Sequence, residues 1–199
     1  MTTPDRELYA RVDDSDDAGF YSIERKVVHL EQGAIEALRT RYAELLPPGS
    51  RVLDLMSSWR SHLPGGLGEV TGLGMNAAEM EDNPQLESFV IHDLNKNPSL
   101  PFGDADFDAV ACAVSVQYLT RPLEVFTEIR RVLRPGGVCV VSFSNRCFPI
   151  KAVRVWLATS DNGHRILVRG YLEKTGFQDV RDEQLPTPDD PLFVVHGVN

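Results

Sequence analysis

Several side chains able to bind a ligand or move a proton stand just after apolar runs in this chain. Asp54 lies in the run Arg51-Val52-Leu53-Asp54-Leu55-Met56, and Ser57 and Ser58 follow with two hydroxyls. Met75 and Asn76 close the next run, and the Asn76 amide can both donate and accept. His92-Asp93-Leu94 follows a third, and Ser115-Val116-Gln117-Tyr118 follows the most apolar of all. His29 is of the residue type that titrates near neutral pH and can act as a base. Glutamine has no such capacity, so Gln117 can orient a reactant but cannot deprotonate it. Cys112, Cys139 and Cys147 contain no CxxC pair, and the five histidines show no HxxxH or HExxH spacing. No metal centre or disulfide framework is expected from this pattern.

Short apolar runs alternate with amphipathic ones, and these elements must position the polar groups. Ile23 to Leu46 carries Val27, Leu30, Ala34, Leu38, Tyr42 and Leu45 at steps of three and four, which predicts one long helix stopped by Pro47-Pro48-Gly49. Strands are predicted over Arg51–Met56, Glu69–Gly74 and Ser88–Ile91. Phe107–Val114, nearly all apolar, suits the centre of a parallel sheet covered on both faces. A helix over Arg121–Leu133, with Leu123, Phe126, Ile129 and Leu133 facing inward, ends at Pro135-Gly136-Gly137 and leads to a strand over Val138–Phe143. Helices near Pro149–Thr159 and Asp161–Thr175 precede strands over Gln178–Glu183 and Pro191–Val198, which read as an antiparallel hairpin. The expected architecture is a three-layer α/β/α sandwich around a Rossmann-like, mostly parallel seven-stranded sheet with that hairpin at its C-terminal end. Ligands of such sheets bind beyond the carboxyl ends of the strands.

The 199 residues, 42% hydrophobic and 25% charged, suit one globular domain: an N-terminal acidic segment and amphipathic helix over 1–49, then a core over 50–199. No apolar run reaches the roughly 20 residues of a membrane span, and Met1–Glu7 lacks a secretory pattern, so a cytoplasmic protein with no membrane partner is expected. A net charge of −9 disfavours a nucleic-acid partner. The acidic run Asp13-Asp14-Ser15-Asp16-Asp17 reads as a solvated, mobile stretch.

Val52-Leu53-Asp54-Leu55, Phe107-Asp108-Ala109-Val110 and Glu128-Ile129-Arg130-Arg131-Val132-Leu133-Arg134-Pro135-Gly136-Gly137, in this order and spacing, resemble the class I S-adenosylmethionine-dependent methyltransferases, especially the type 11 subgroup. The resemblance runs from about Ser50 to the C-terminus, and it implies S-adenosyl-L-methionine as cofactor and methyl transfer to a small molecule. It breaks at two places. The family's first loop reads D-x-G-x-G-x-G, where glycine lets backbone approach the cofactor. Here Asp54-Leu55-Met56-Ser57-Ser58-Trp59-Arg60 has none of the three glycines. The acidic residue that receives the ribose hydroxyls at the end of the second strand is replaced by Gly74.

The resemblance implies that Asp54, Leu55, Met56, Ser57 and Ser58 line the cofactor. Met75 and Asn76 would lie near the ribose, Asp93 and Leu94 near the adenine, and Ser115 and Val116 beneath. It also makes residues before the first strand a lid, which brings Tyr21 and His29 forward with Gln117 as catalytic candidates, and Arg25 and Tyr118 as substrate contacts. Arg146, after the fifth strand, would join Arg25 and Arg60 in a basic cluster suited to an anionic acceptor. On another reading Ser57 and Ser58 only cap a following helix and Met56 and Trp59 are core. A non-catalytic scaffold that has lost the cofactor is the corresponding alternative function.

Overall fold

A computed structural model describes residues 7–187 and 190–199. Strands β1 (Val52–Leu55), β2 (Val70–Gly74), β3 (Ser88–Ile91), β4 (Phe107–Ala113), β5 (Leu133–Ser144), β6 (Gln178–Leu185) and β7 (Leu192–Val198) form one sheet in the order β3-β2-β1-β4-β5-β7-β6. All neighbours are parallel except β7, which runs antiparallel to both β5 and β6. The predicted three-layer sandwich and terminal hairpin are therefore present.

β4 explains how the layers form. Its side chains alternate, so Val110 and Cys112 pack with Phe126, Ile129 and Tyr171 from α4 (Pro122–Val132) and α6 (Asp161–Lys174). Ala109 and Ala111 face the other way, toward Ala34, Leu38 and Tyr42 of α2 (Gln32–Leu45). The two alanines leave room for the fully buried Tyr42, whose hydroxyl pairs with the Ser142 hydroxyl at 3.1 Å. On α4 the buried stripe is Val125, Phe126, Ile129 and Val132, while Leu123 is exposed. The predicted stripe was thus one residue out of phase at its start, and Leu133 already belongs to β5.

Two predicted helices are shorter than their periodicity suggested. The helix expected over Ile23–Leu46 begins only at Gln32, because tertiary partners claim the backbone before it. The Arg25 N–H is donated to the Glu79 carboxylate at 2.5 Å, and the Val27 carbonyl accepts from the Trp59 indole at 3.1 Å. The lid is instead a short helix, α1 (Asp17–Tyr21), followed by an irregular segment. The helix expected over Pro149–Thr159 shrinks to α5 (Arg154–Leu157), since the Val153 and Arg154 N–H groups donate to the carbonyls of Gln117 and Ala10. The acidic run is solvated only in part: Asp14, Ser15 and Asp16 are exposed, but its ends are anchored. Asp17 is buried, bonded to Arg11 at 2.7 Å, and shares the buried Lys151 ammonium with Asp13, each at 3.0 Å.

Candidate active site

One cleft opens beyond the carboxyl ends of β1, β2, β3 and β4, and residues of α1 and the following lid segment close over it with Phe148. On the β1 side, Met56 holds a φ of +59°. It occupies the first glycine position of the resemblance, so the chain keeps a left-handed turn there at a cost of roughly 1 kcal/mol for a side-chain-bearing residue. The Ser57 N–H then donates to the Leu73 carbonyl at 2.8 Å and pins the turn to β2. The two serine hydroxyls point to different acids: Ser57 donates to Asp54 and Ser58 to Glu79. Ser61 adds a second bond to Asp54 at 2.7 Å. Burial pushes the Asp54 carboxyl up to about 6, although both hydroxyls pull it down. Residues 56–69 contain no helix before β2, so Ser57 and Ser58 cap nothing. Trp59 is half-buried on the cleft wall rather than in the core.

Gly74 ends β2 where the turn crosses it. A Cβ there would stand 2.3 Å from the Ser57 carbonyl oxygen, so no side chain fits. Next come Met75 and Asn76. The Asn76 side chain accepts the Glu79 N–H at 3.1 Å as the N-cap of α3 (Ala77–Glu81), and its amide donates to the Tyr21 carbonyl at 2.9 Å. After β3, Asp93 accepts the N–H groups of Asn95 and Lys96 in a turn, beside the buried Leu94. The Asn95 amide links Asp17 of the lid to the Tyr118 carbonyl. After β4, Val114 takes a φ of +45°, an outlier for a β-branched residue, and turns Ser115 into the cleft.

On the lid, Arg25 lies over the Phe20 ring at 4.0 Å and His29 meets Phe148 edge-on at 5.0 Å. Burial, then Arg146, holds the His29 imidazole below its usual 6.5, which leaves it neutral at pH 7. His62, also on the wall, is pushed down to about 4 by burial and then by Arg39, Arg60 and His29. Burial raises the Tyr21 phenol, which stays protonated and serves only as a hydrogen-bonding hydroxyl. The Tyr118 hydroxyl accepts the Phe148 N–H at 2.9 Å.

Of the residues singled out in the sequence, Asp54, Met56, Ser57, Ser58, Met75, Asn76, Asp93, Leu94, Ser115, Tyr21, Arg25, His29 and Tyr118 line this one cleft. Leu55 and Val116 point into the core instead. Gln117 is buried behind the wall, where its amide donates to the Val114 carbonyl at 2.9 Å. Arg146 is off the wall and already neutralised by Glu31 at 2.9 Å and Asp190 at 2.5 Å. The basic cluster is therefore Arg25 and Arg60 without Arg146.

A family model described as a methyltransferase domain matches residues 61–141, starting just past the glycine-less turn. Over that stretch the chain resembles a methyltransferase domain, and the sheet around it has the Rossmann-like order of the solved S-adenosylmethionine-dependent methyltransferases. It is 33% identical over 115 residues to a demethylmenaquinone methyltransferase of Renibacterium salmoninarum, covering 53% of this chain and 47% of that one. It is 31% identical over 121 residues to a ubiquinone/menaquinone biosynthesis C-methyltransferase of Laribacter hongkongensis, covering 53% and 48%. The chain thus spans about half the length of the curated relatives it matches. A solved S-adenosylmethionine-dependent methyltransferase of Aquifex aeolicus superposes with a TM-score of 0.60 at 16% identity, covering 82% of this chain and 88% of that one.

Several wall residues of the cleft escape a reading by motif, among them Trp59, His62, Glu79, Asn95 and Phe148. Only Glu79 left a signal: Asn76-Ala77-Ala78-Glu79 has the spacing of a helix start with an acid in its first turn. Trp59, Asn95 and Phe148 are recruited by contacts distant in the chain.

Proposed function

We propose that the protein transfers a methyl group from S-adenosylmethionine to a small, flat acceptor bearing an anionic group. The observation that carries this reading is the single cleft at the strand ends, which gathers most of the expected cofactor residues in spite of the rewritten turn. Its chemistry fits the cofactor. Leu73, Met75, Leu94 and Val114 offer apolar wall for a purine, and the buried Asp54 carboxylate suits a cationic ligand. Bound there, the cofactor supplies a methyl group already activated by its sulfonium, so alignment with the nucleophile provides much of the rate. The protein's part is to orient the acceptor, exclude water under the lid and hold a neutral His29 that can take a proton where the acceptor must lose one.

Tyr21, Trp59, Tyr118 and Phe148 favour a planar acceptor, and the quinone-related names of the relatives agree with a ring substrate. Arg25 and Arg60 support the anionic group, since their guanidinium contacts are to backbone carbonyls and aromatic rings rather than to carboxylates. Arg25→Ala and Arg60→Ala are each expected to weaken an anionic acceptor by about tenfold, as for a lost charge-assisted hydrogen bond, while Arg146→Ala changes little. Steady-state KM values across carboxylate and neutral acceptors check this, and an Arg146 effect as large as the others would defeat the assignment.

Titration calorimetry with S-adenosylmethionine and S-adenosylhomocysteine tests the function. Micromolar binding supports it, and silence at millimolar ligand makes the chain a non-catalytic scaffold. The affinity should also follow Asp54. A cationic ligand favours the carboxylate, and below pH 6 a proton must leave first, so S-adenosylmethionine should bind roughly tenfold more weakly at pH 5 than at pH 7. Asp54→Asn should flatten that dependence; an unchanged slope would remove Asp54 from the cofactor's surroundings.

A further inference from the structure

Glu79 is one of three buried acids on the cleft wall, with Asp17 and Asp54, and nothing in the scheme above uses it. One of its oxygens accepts the Arg25 N–H at 2.5 Å and the other accepts the Ser58 hydroxyl. Each carboxylate oxygen has room for a further donor. Among the described residues no Lys, Arg or His forms an ion pair with Glu79, so a buried negative charge faces an open cleft with half its acceptor capacity unspent. Such a group is costly unless a ligand completes it. Its neighbourhood narrows what that ligand group can be. Asp17 is already paired with Arg11 and Lys151, and Asp54, reached through Ser57, suits the cationic end of the cofactor. Glu79 is reached through the adjacent Ser58 and stands on α3, beyond the end of β2. The strand end itself cannot carry an acid, since a Cβ on Gly74 would meet the Ser57 carbonyl at 2.3 Å.

We infer that Glu79 receives the ribose hydroxyls of the cofactor. This rests on the cofactor reading above and adds a positioning residue to it. A vicinal diol supplies two O–H donors to a carboxylate, which matches the free acceptor sites. The arrangement also accounts for the serine pair: one hydroxyl orients the acid for the charged end, the next orients the acid for the sugar.

The test uses the full chain and two ligands, S-adenosylhomocysteine and its 2′,3′-dideoxy analogue, titrated by calorimetry against wild type, Glu79→Gln and Glu79→Asp. Wild type should prefer the ribose form by about tenfold or more, as expected for hydrogen bonds to a charged acceptor. Glu79→Gln should lose most of that preference by weakening the ribose ligand alone, and Glu79→Asp should fall between. A purely structural Glu79, bracing Arg25 and Ser58, would weaken both ligands equally and keep the ratio, and that result overturns the inference. Equal wild-type affinities for the two ligands overturn it without any variant. Where circular dichroism shows Glu79→Gln unfolded, the Glu79→Asp ratio decides by the same criterion. If wild type binds neither ligand, the cofactor reading falls and this inference with it, an outcome distinct from binding with an unchanged ratio.

Discussion

Gly74→Ala is expected to destabilise the protein by about 3 kcal/mol, at the upper end for overpacking a rigid interior. The new methyl would lie 2.3 Å from the Ser57 carbonyl oxygen and 3.0 Å from the Met80 sulfur. Neither side can yield cheaply. Gly74 is hydrogen-bonded within the sheet, with its carbonyl receiving the His92 N–H at 2.9 Å, and the Ser57 turn is held by its own 2.8 Å bond to Leu73. For a domain of this size the loss corresponds to a fall in Tm of roughly 6–12 °C. Gly74→Asp, which supplies the acid that the resemblance would place here, should be worse still, because it adds a carboxylate to the same clash. A thermal melt of Gly74→Ala within about 2 °C of wild type would mean that the turn does not press on β2 as described.

The second large effect is expected at Lys151, on the lid anchor. Its side chain is fully buried, its ammonium is 3.0 Å from both Asp13 and Asp17, and the Ser15 carbonyl lies 3.2 Å away. Burial works against the charge on Asp17, but hydrogen bonds from Arg11, Asn95 and Lys151 outweigh it and hold its carboxyl below the usual range. Lys151→Met keeps the volume and removes the cation, leaving Asp17 buried with less compensation. Breaking a buried pair in this way costs about 3 kcal/mol. Because α1 begins at Asp17 and Asn95 ties the same carboxylate to the Tyr118 carbonyl, the loss should loosen the lid before the core. Hydrogen exchange over residues 13–29 should speed up more than exchange in β4. Uniform exchange across both regions would show that the lid does not depend on this anchor.

Much of the fold was legible because burial and periodicity agree in it. Phe107–Ala113 could only be a central strand, and Ser88–Ile91 and Asp161–Lys174 fall where their patterns placed them. The segment before Gln32 was not legible, because its helical spacing was overruled by Glu79 and Trp59, residues far along the chain that bind its backbone. Asp17 illustrates the same limit: an acidic run looks solvated until the fold delivers Lys151 to it. In the cleft, the strand-end residues were found because topology alone sends them there. Gln117 and Arg146 were misplaced because the side chains they meet, rather than their positions in the chain, decide where they point. The glycine-less turn kept at Met56 the backbone conformation of a glycine, something composition alone cannot reveal.

The missing helix between β1 and β2 changes how this end of the cleft carries charge. A helix start would present a row of unpaired amide hydrogens and a fixed partial positive charge that no single substitution removes. Here that duty falls to separate side chains on a glycine- and proline-bearing crossover. Each is replaceable independently of its neighbours, so the polarity of this wall can be rewritten one codon at a time while the sheet beneath it stays intact.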